Sequence, residues 1–271
     1  MHSWLNFNAR FIKENTTVVT ADNRGLRYGD GLFETMKYVK GEIRFGDLHF
    51  ERLFNGLNTL KIDLPALVTK PYLQQQVQLT IEKNNIKGAA RVRLMIIRGD
   101  GGLYEFDGAG GGFIIQVWPL DEDKQGFNEN GLVMGLYDRG MKPCDQFANV
   151  KSNNYLLYAM AAIHARENKW NDCAVTNAYG RICDTTIANI FWVKNGVLFT
   201  PPLSEGCVAG VMRKHFILNN PVSEIVCELA DLENADEIFL TNAVAGVRWV
   251  KEFNGSVYRG KIARQLYETI H

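Results

Sequence analysis

Residues 181–215 constrain this chain most. They read RICDTTIANIFWVKNGVLFTPPLSEGCVAGVMRKH. Residues 190–193 form a short, wholly apolar run, Lys194-Asn195-Gly196 is a turn signal, and residues 197–200 return. That order predicts a hairpin. Pro201-Pro202 and a glycine-containing link follow, and Ala209-Gly210-Val211-Met212-Arg213 reads as the mouth of a helix. Asp184, the pair Thr185-Thr186 and Gly210 are together suited to grip a small ring-bearing molecule that carries a phosphate.

The 271 residues suffice for one large or two modest domains with real cores. Thirty basic residues balance thirty acidic ones, so charge argues against a nucleic-acid or anionic-membrane partner. No apolar run approaches the ~18 residues that a spanning helix needs. Met1-His2-Ser3-Trp4-Leu5-Asn6 lacks the basic and apolar parts of a signal peptide. Five cysteines, with no CxxC pair, are expected as reduced thiols of a cytoplasmic protein. No His/Cys spacing predicts a metal site.

The first half reads as mixed strand and helix. Strands are expected over 16–20, 33–39, 43–45, 90–98 and 113–118, and helices over 47–57, capped by Asp47, and 71–85. Residues 23–31 read as a glycine-rich loop that lacks the GxGxxG and GxxxxGK[ST] phosphate patterns. Residues 100–112 are glycine-rich and read as a flexible loop. The charged segment after Pro119 sets the expected division: a domain over 1–119, a linker over 120–127 and a domain over 128–271. In the second half, strands are expected over 131–137, 172–177 and 237–241, and helices over 155–167 and 262–270. In the 155–167 helix Leu156, Leu157, Met160, Ile163 and His164 recur at helical spacing.

Asp184, Thr186, Asn189, Phe191, Leu198, Thr200, Val208, Gly210, Val211 and Arg213 fall at the spacing of one family signature. Two further blocks, residues 28–35 (YGDGLFET) and 49–53 (HFERL), match as well. The chain therefore resembles the class IV aminotransferases. These are the fold-type IV pyridoxal-phosphate enzymes, which include branched-chain and D-amino acid aminotransferases and aminodeoxychorismate lyase. The resemblance implies a two-domain α+β or α/β protein, with a small N-terminal α/β sandwich and a C-terminal pseudo-barrel. It implies pyridoxal 5'-phosphate held between the domains, amino acid and 2-oxo acid substrates, and a homodimer.

The resemblance also assigns roles. Lys151 matches the lysine that bonds the cofactor aldehyde and then moves the substrate proton. Asp184 stands where the family usually has Glu, beside the pyridine nitrogen; it is one methylene shorter. Arg52 resembles the arginine on the phosphate, joined there by the amides of Val211 and Met212 and by the turn Thr241-Asn242-Ala243. Asn189 belongs to the same signature, and Tyr155 lies near the family's tyrosine on the ring oxygen. Tyr28, Thr35, Arg93 and Arg98 are the expected substrate contacts. The Arg-x-His pair of D-amino acid enzymes is missing, since Leu103-Tyr104-Glu105 stands there. A branched-chain-like aminotransferase is the first reading and the lyase the second. A non-catalytic binding protein of the same fold is a third.

Overall fold

The structure, a computed structural model, describes residues 3–104, 111–121 and 126–270. Part of the expected linker, and Glu105 of the tested triplet, lie outside the described residues. The chain divides into two compact units. One comprises Met1–Gln125 with Val150–Asn154, the other Gly126–Asn149 with Tyr155–His271.

The first unit contains β1 (Trp4–Phe7), β2 (Arg10–Lys13), α1 (Arg24–Tyr28), β3 (Gly31–Val39), β4 (Glu42–Ile43), α2 (Gly46–Leu60), α3 (Lys70–Lys83), β5 (Ala90–Ile97) and β6 (Gly112–Pro119). Its strands form an antiparallel sheet in the order β2-β1-β6-β5-β3-β4. Alternation along the strands sorts the side chains. Leu32, Met36, Val92, Leu94, Ile96, Ile115 and Val117 pack on Phe50, Leu53 and Leu57 of α2 and Leu73, Val77 and Ile81 of α3. Each such burial contributes about 1.5–3 kcal/mol. Phe33, Thr35, Arg91, Arg93, Gln116 and Trp118 occupy the other face by register.

Residues 150–154 join this unit by pairing with the start of β3. Phe33 N donates to Lys151 O (3.0 Å) and Asn153 N to Gly31 O (2.9 Å). The approach is close enough to require glycine. A Cβ on residue 31 would stand 2.3 Å from Ile96 O and 2.5 Å from Asn153 Nδ2.

The second unit contains β7 (Leu132–Lys142), α4 (Leu156–Glu167), β8 (Asp172–Asn177), β9 (Ile182–Thr185), β10 (Asn189–Lys194), β11 (Val197–Thr200), α5 (Val211–Asn219), β12 (Val222–Glu224), α6 (Leu229–Glu233), β13 (Glu237–Asn242), β14 (Gly246–Phe253), β15 (Ser256–Val257) and α7 (Lys261–Thr269). Eight of its strands run in the order β12-β11-β10-β13-β14-β7-β8-β9, and β15 pairs with β14. In that order β9 and β10 are five strand spacings apart, roughly 24 Å in a flat sheet. Only residues 186–188 connect them, a reach of roughly 14 Å. The sheet must curl, which produces the half-barrel expected of this fold.

Three local expectations fail for physical reasons, and one helix turns a face that spacing alone does not fix. Residues 16–20 form no strand: Thr16 N closes a turn on Lys13 O, and Thr20 Oγ1 bonds Asp100. β-Branched propensity has no neighbouring strand to pair with there. The loop over 23–31 contains α1, because the Asn23 side chain caps Leu26 N. The N-cap of α2 is Phe45 with φ 55°, not Asp47, which sits in the first turn and pairs with Lys70. On α4 the apolar face is turned outward. Tyr158, Ala161 and Ala165 are buried, whereas Leu156 is 74%, Met160 44% and Ile163 39% exposed.

Candidate active site

In the first unit Lys151 Nζ lies 4.6 Å from the centre of the Phe33 ring. Arg93 Cζ lies 4.2 Å from the same ring. Thr35 stands directly opposite Arg93 across the β3–β5 pair, and Gln116 opposite it on β6. An amine and a guanidinium thus share one aromatic side chain, and strand register sets a hydroxyl and an amide beside the guanidinium. Each cation–π contact contributes on the order of 1 kcal/mol and fixes orientation.

Arg52 works from the opposite side of β3. It and His49 are three residues apart on α2, so they share a face. Both reach Glu34, which is 1% exposed among the core residues. Arg52 Nε and Nη2 donate to the carboxylate at 2.8 and 2.5 Å, and His49 Nδ1 lies 2.6 Å away. Burial pushes the Glu34 carboxyl up. The Arg52 charge and the hydrogen bonds from His49 and Arg52 outweigh it and hold the group down to about 2. Arg52 therefore enters any anion site already oriented.

Arg98 and Tyr28 have local partners. Arg98 donates from Nε to Asp30 (2.8 Å) and from Nη1 and Nη2 to the carbonyls of Lys61 and Leu60 (2.6 Å each). It closes the C-terminus of α2. Tyr28 carries Arg24 Cζ at 5.2 Å from its ring.

In the second unit Asp184, on β9, is 2% exposed. Asn189 Nδ2 donates to its Oδ1 (3.1 Å), and Val208 N (2.8 Å) and Tyr158 Oη (3.0 Å) donate to its Oδ2. Burial, then the Asp184 charge, raise the Tyr158 phenol well above its ordinary range, so it stays a neutral donor. The Tyr155 ring packs tilted against Tyr158, with ring centres 4.5 Å apart. Asp172 accepts from the amides of Cys173 and Thr186 and so fixes the turn after Asp184.

The same unit also carries an arrangement that could hold an anion. Gly210 is the N-cap of α5, with no side-chain cap on the amides of Val211 and Met212 that follow. First-turn amides lack helical partners and carry the positive end of the helix dipole. A Cβ on residue 210 would fall 1.7 Å from Asn189 Oδ1. Thr241 Oγ1 is buried and makes no hydrogen bond to any described residue. Asn242 Oδ1 accepts from Val244 and Ala245 and shapes the turn holding Ala243. Gly210→Ala is expected to cost about 2 kcal/mol by overpacking against Asn189, read by thermal denaturation. An unchanged midpoint would show that the loop relaxes freely.

The sequence reading missed Phe33, the Glu34–His49 support of Arg52, and Tyr158 with Lys142 beside Asp184. The HxxR spacing was a signal for the second. Tyr158 had none, because helical spacing alone does not say which residues of α4 face inward. Among the described residues no group of side chains could hold a metal ion. No described helix is long and apolar enough to cross a membrane.

Known proteins are similar to this chain in sequence and fold. The Aminodeoxychorismate lyase of Vibrio harveyi is 29% identical over 92% of this chain and 94% of its own. A Methanocaldococcus jannaschii protein, provisionally named a branched-chain-amino-acid aminotransferase, is 32% identical over 96% of this chain and 93% of its own. The crystal structure of the branched-chain aminotransferase of Thermoproteus uzoniensis, with norvaline, superposes with a TM-score of 0.87. It is 26% identical and covers 100% of this chain and 94% of that one. The profile of the amino-transferase class IV family matches residues 31–253. The chain belongs to the class IV aminotransferase family.

Proposed function

We propose that this protein is a pyridoxal-phosphate-dependent aminotransferase. It would move an amino group from an amino acid of the branched-chain type to a 2-oxo acid. The observation that carries this reading is the Lys151–Phe33–Arg93 cluster, an amine with a carboxylate-recognising guanidinium against the same ring. The residues fit the cofactor. The uncapped start of α5, the absence of room for a Cβ at Gly210 and the unpartnered Thr241 hydroxyl suit a phosphate. The buried Asp184 carboxylate suits a ring nitrogen.

When bound, pyridoxal phosphate supplies an aldehyde that takes up the amine and a ring that draws electrons from the Cα–H bond. The protein does the rest. Lys151 Nζ would anchor the group and, once the substrate amine has displaced it, would accept the proton from the substrate Cα and return it to the carbon that carried the aldehyde oxygen. Arg52, oriented by Glu34 through Nε and Nη2, would pair with the phosphate. Arg93, with Thr35 across from it, recognises a carboxylate.

Amino acid and 2-oxo acid would then exchange in alternating half-reactions. Incubation with a branched-chain amino acid and 2-oxoglutarate should yield glutamate. The Vibrio harveyi relative supports a second reading, elimination of pyruvate from aminodeoxychorismate. Pyruvate and 4-aminobenzoate from that compound, with no glutamate from the first mixture, would replace the first reading with the second.

A homodimer belongs to the same proposal, supported by the exposed stripe Leu156, Met160 and Ile163 on α4. Leu156→Glu combined with Met160→Glu should convert the dimer to monomers in sedimentation velocity. An intact dimer would move the interface elsewhere.

A further inference from the structure

Lys142, at the end of β7, is a buried lysine that the family roles above do not use. It is 6% exposed, and its Nζ makes no hydrogen bond to any described residue. The nearest acid is Asp184, whose Oδ2 lies 3.8 Å away, too far for a hydrogen bond. The Tyr158 ring centre lies 5.3 Å from Nζ.

A buried ammonium without hydrogen bonds is costly, which raises the question of what its charge does. Stabilising the Asp184 side chain is a poor answer. Asn189, Val208 and Tyr158 already supply three neutral donors to the carboxylate. What they cannot supply is a full positive charge. At 3.8 Å in a buried site that charge acts strongly on whatever else shares the carboxylate.

We propose that Lys142 is a positioning residue that shares the Asp184 carboxylate with the cofactor's ring nitrogen and so limits how fully that nitrogen is protonated. The inference rests on the reading of Asp184 as the ring-nitrogen acid. A ring nitrogen that takes a proton becomes a second cation facing the same carboxylate. Lys142 opposes it by like-charge repulsion. The shorter acid at 184 and the lysine behind it then form one device. The site keeps an acid at the ring nitrogen while moderating the electron withdrawal that the ring provides.

Two measurements test this on the full-length protein. The first is thermal denaturation without cofactor of Lys142→Met, Asp184→Asn and the double variant. Each single variant should lose about 5 °C through an uncompensated buried charge, and the double variant should recover most of the loss. Additive losses would overturn the pairing.

The second is the nitrogen-15 signal of ring-labelled pyridoxal phosphate bound to the wild type and to Lys142→Met, Lys142→Arg and Asp184→Asn. Lys142→Met should shift the signal toward the protonated position, and Lys142→Arg should keep it near the wild-type value. A merely structural lysine would leave the signal unmoved, and that result overturns the proposal. If Asp184→Asn also leaves it unmoved, the assignment of Asp184 to the ring nitrogen falls too. A Lys142 shift absent while Asp184→Asn moves the signal removes only the role of the lysine.

Discussion

Lys151→Ala is expected to lower turnover by about 10⁴-fold while leaving the fold in place. Two roles end at once, the covalent hold on the cofactor and the transfer of the substrate proton. Proton transfer by a positioned side chain alone contributes about 10²–10⁴-fold. The structural cost is small because the bonds that seat this segment are backbone bonds. Lys151 O still accepts from Phe33 N, and Asn153 N still reaches Gly31 O, whatever stands at position 151. The contact of Nζ with the Phe33 ring is lost, on the order of 1 kcal/mol. A denaturation midpoint within a few degrees of wild type therefore assigns the loss to chemistry. Borohydride treatment followed by mass spectrometry gives the direct readout. The cofactor should be fixed to the wild-type chain at the peptide containing Lys151 and to no peptide of the variant. A variant that is still labelled would move the anchoring role to another lysine.

The parts of the fold that could be read from the sequence are those with one strong local signal. β5 alternates as expected, with Val92, Leu94 and Ile96 buried. β8 matches its expected bounds, and the β10–β11 hairpin follows its Lys-Asn-Gly turn. What failed was decided by packing between distant segments. Helical periodicity located α4 but did not fix which of its faces is buried. The small Ala161 and Ala165 face inward beside Tyr158, whose hydroxyl finds Asp184 more than twenty residues later. No pattern within the helix encodes that acceptor. Residues 16–20 show the converse, a strand composition without a partner strand.

The candidate site divides in the same way. Asp184, Asn189, Gly210 and Val211 lie close in sequence at signature spacing, and Asn189 joins the acid to the Val208 carbonyl (2.9 Å) beside the cradle. Lys151 could be read only through resemblance, since a lysine followed by Ser-Asn-Asn carries no chemical signal of its own. Its neighbours Phe33 and Arg93 come from strands that sequence cannot bring together without the β3–β5 register. The charged supports were hidest of all. Glu34 occupies a core-facing position of β3, where alternation predicts an apolar residue. Lys142 ends a strand whose last residues follow a register shift relative to β8. Both are places where the local pattern yields to the needs of a charge elsewhere.

Glu34→Gln is expected to destabilise the protein by about 3–5 kcal/mol, because it leaves Arg52 in a buried pocket without its counter-charge. Shape is almost unchanged, so the loss measures charge. Replacing Glu34, His49 and Arg52 together by apolar residues should be far milder for stability, since no ion is left unpaired. That triple variant should nonetheless lose phosphate affinity with Arg52. The pH dependence gives an independent check. The folded Glu34 carboxyl is held down to about 2, below its usual value of 4.5. A depressed carboxyl adds stability that is complete above the unfolded value and is lost as pH falls toward the folded one. The interval is pH 4.5 to 2, and the shift corresponds to about 3 kcal/mol at most. Urea denaturation of wild type and Glu34→Gln should therefore show a gap at pH 7 that narrows by about 2 kcal/mol at pH 3. The variant has no carboxyl to protonate at this position, so the narrowing must come from the wild type. A gap of equal size at both pH values would mean that the Glu34 charge is not what holds Arg52, and that shape alone does.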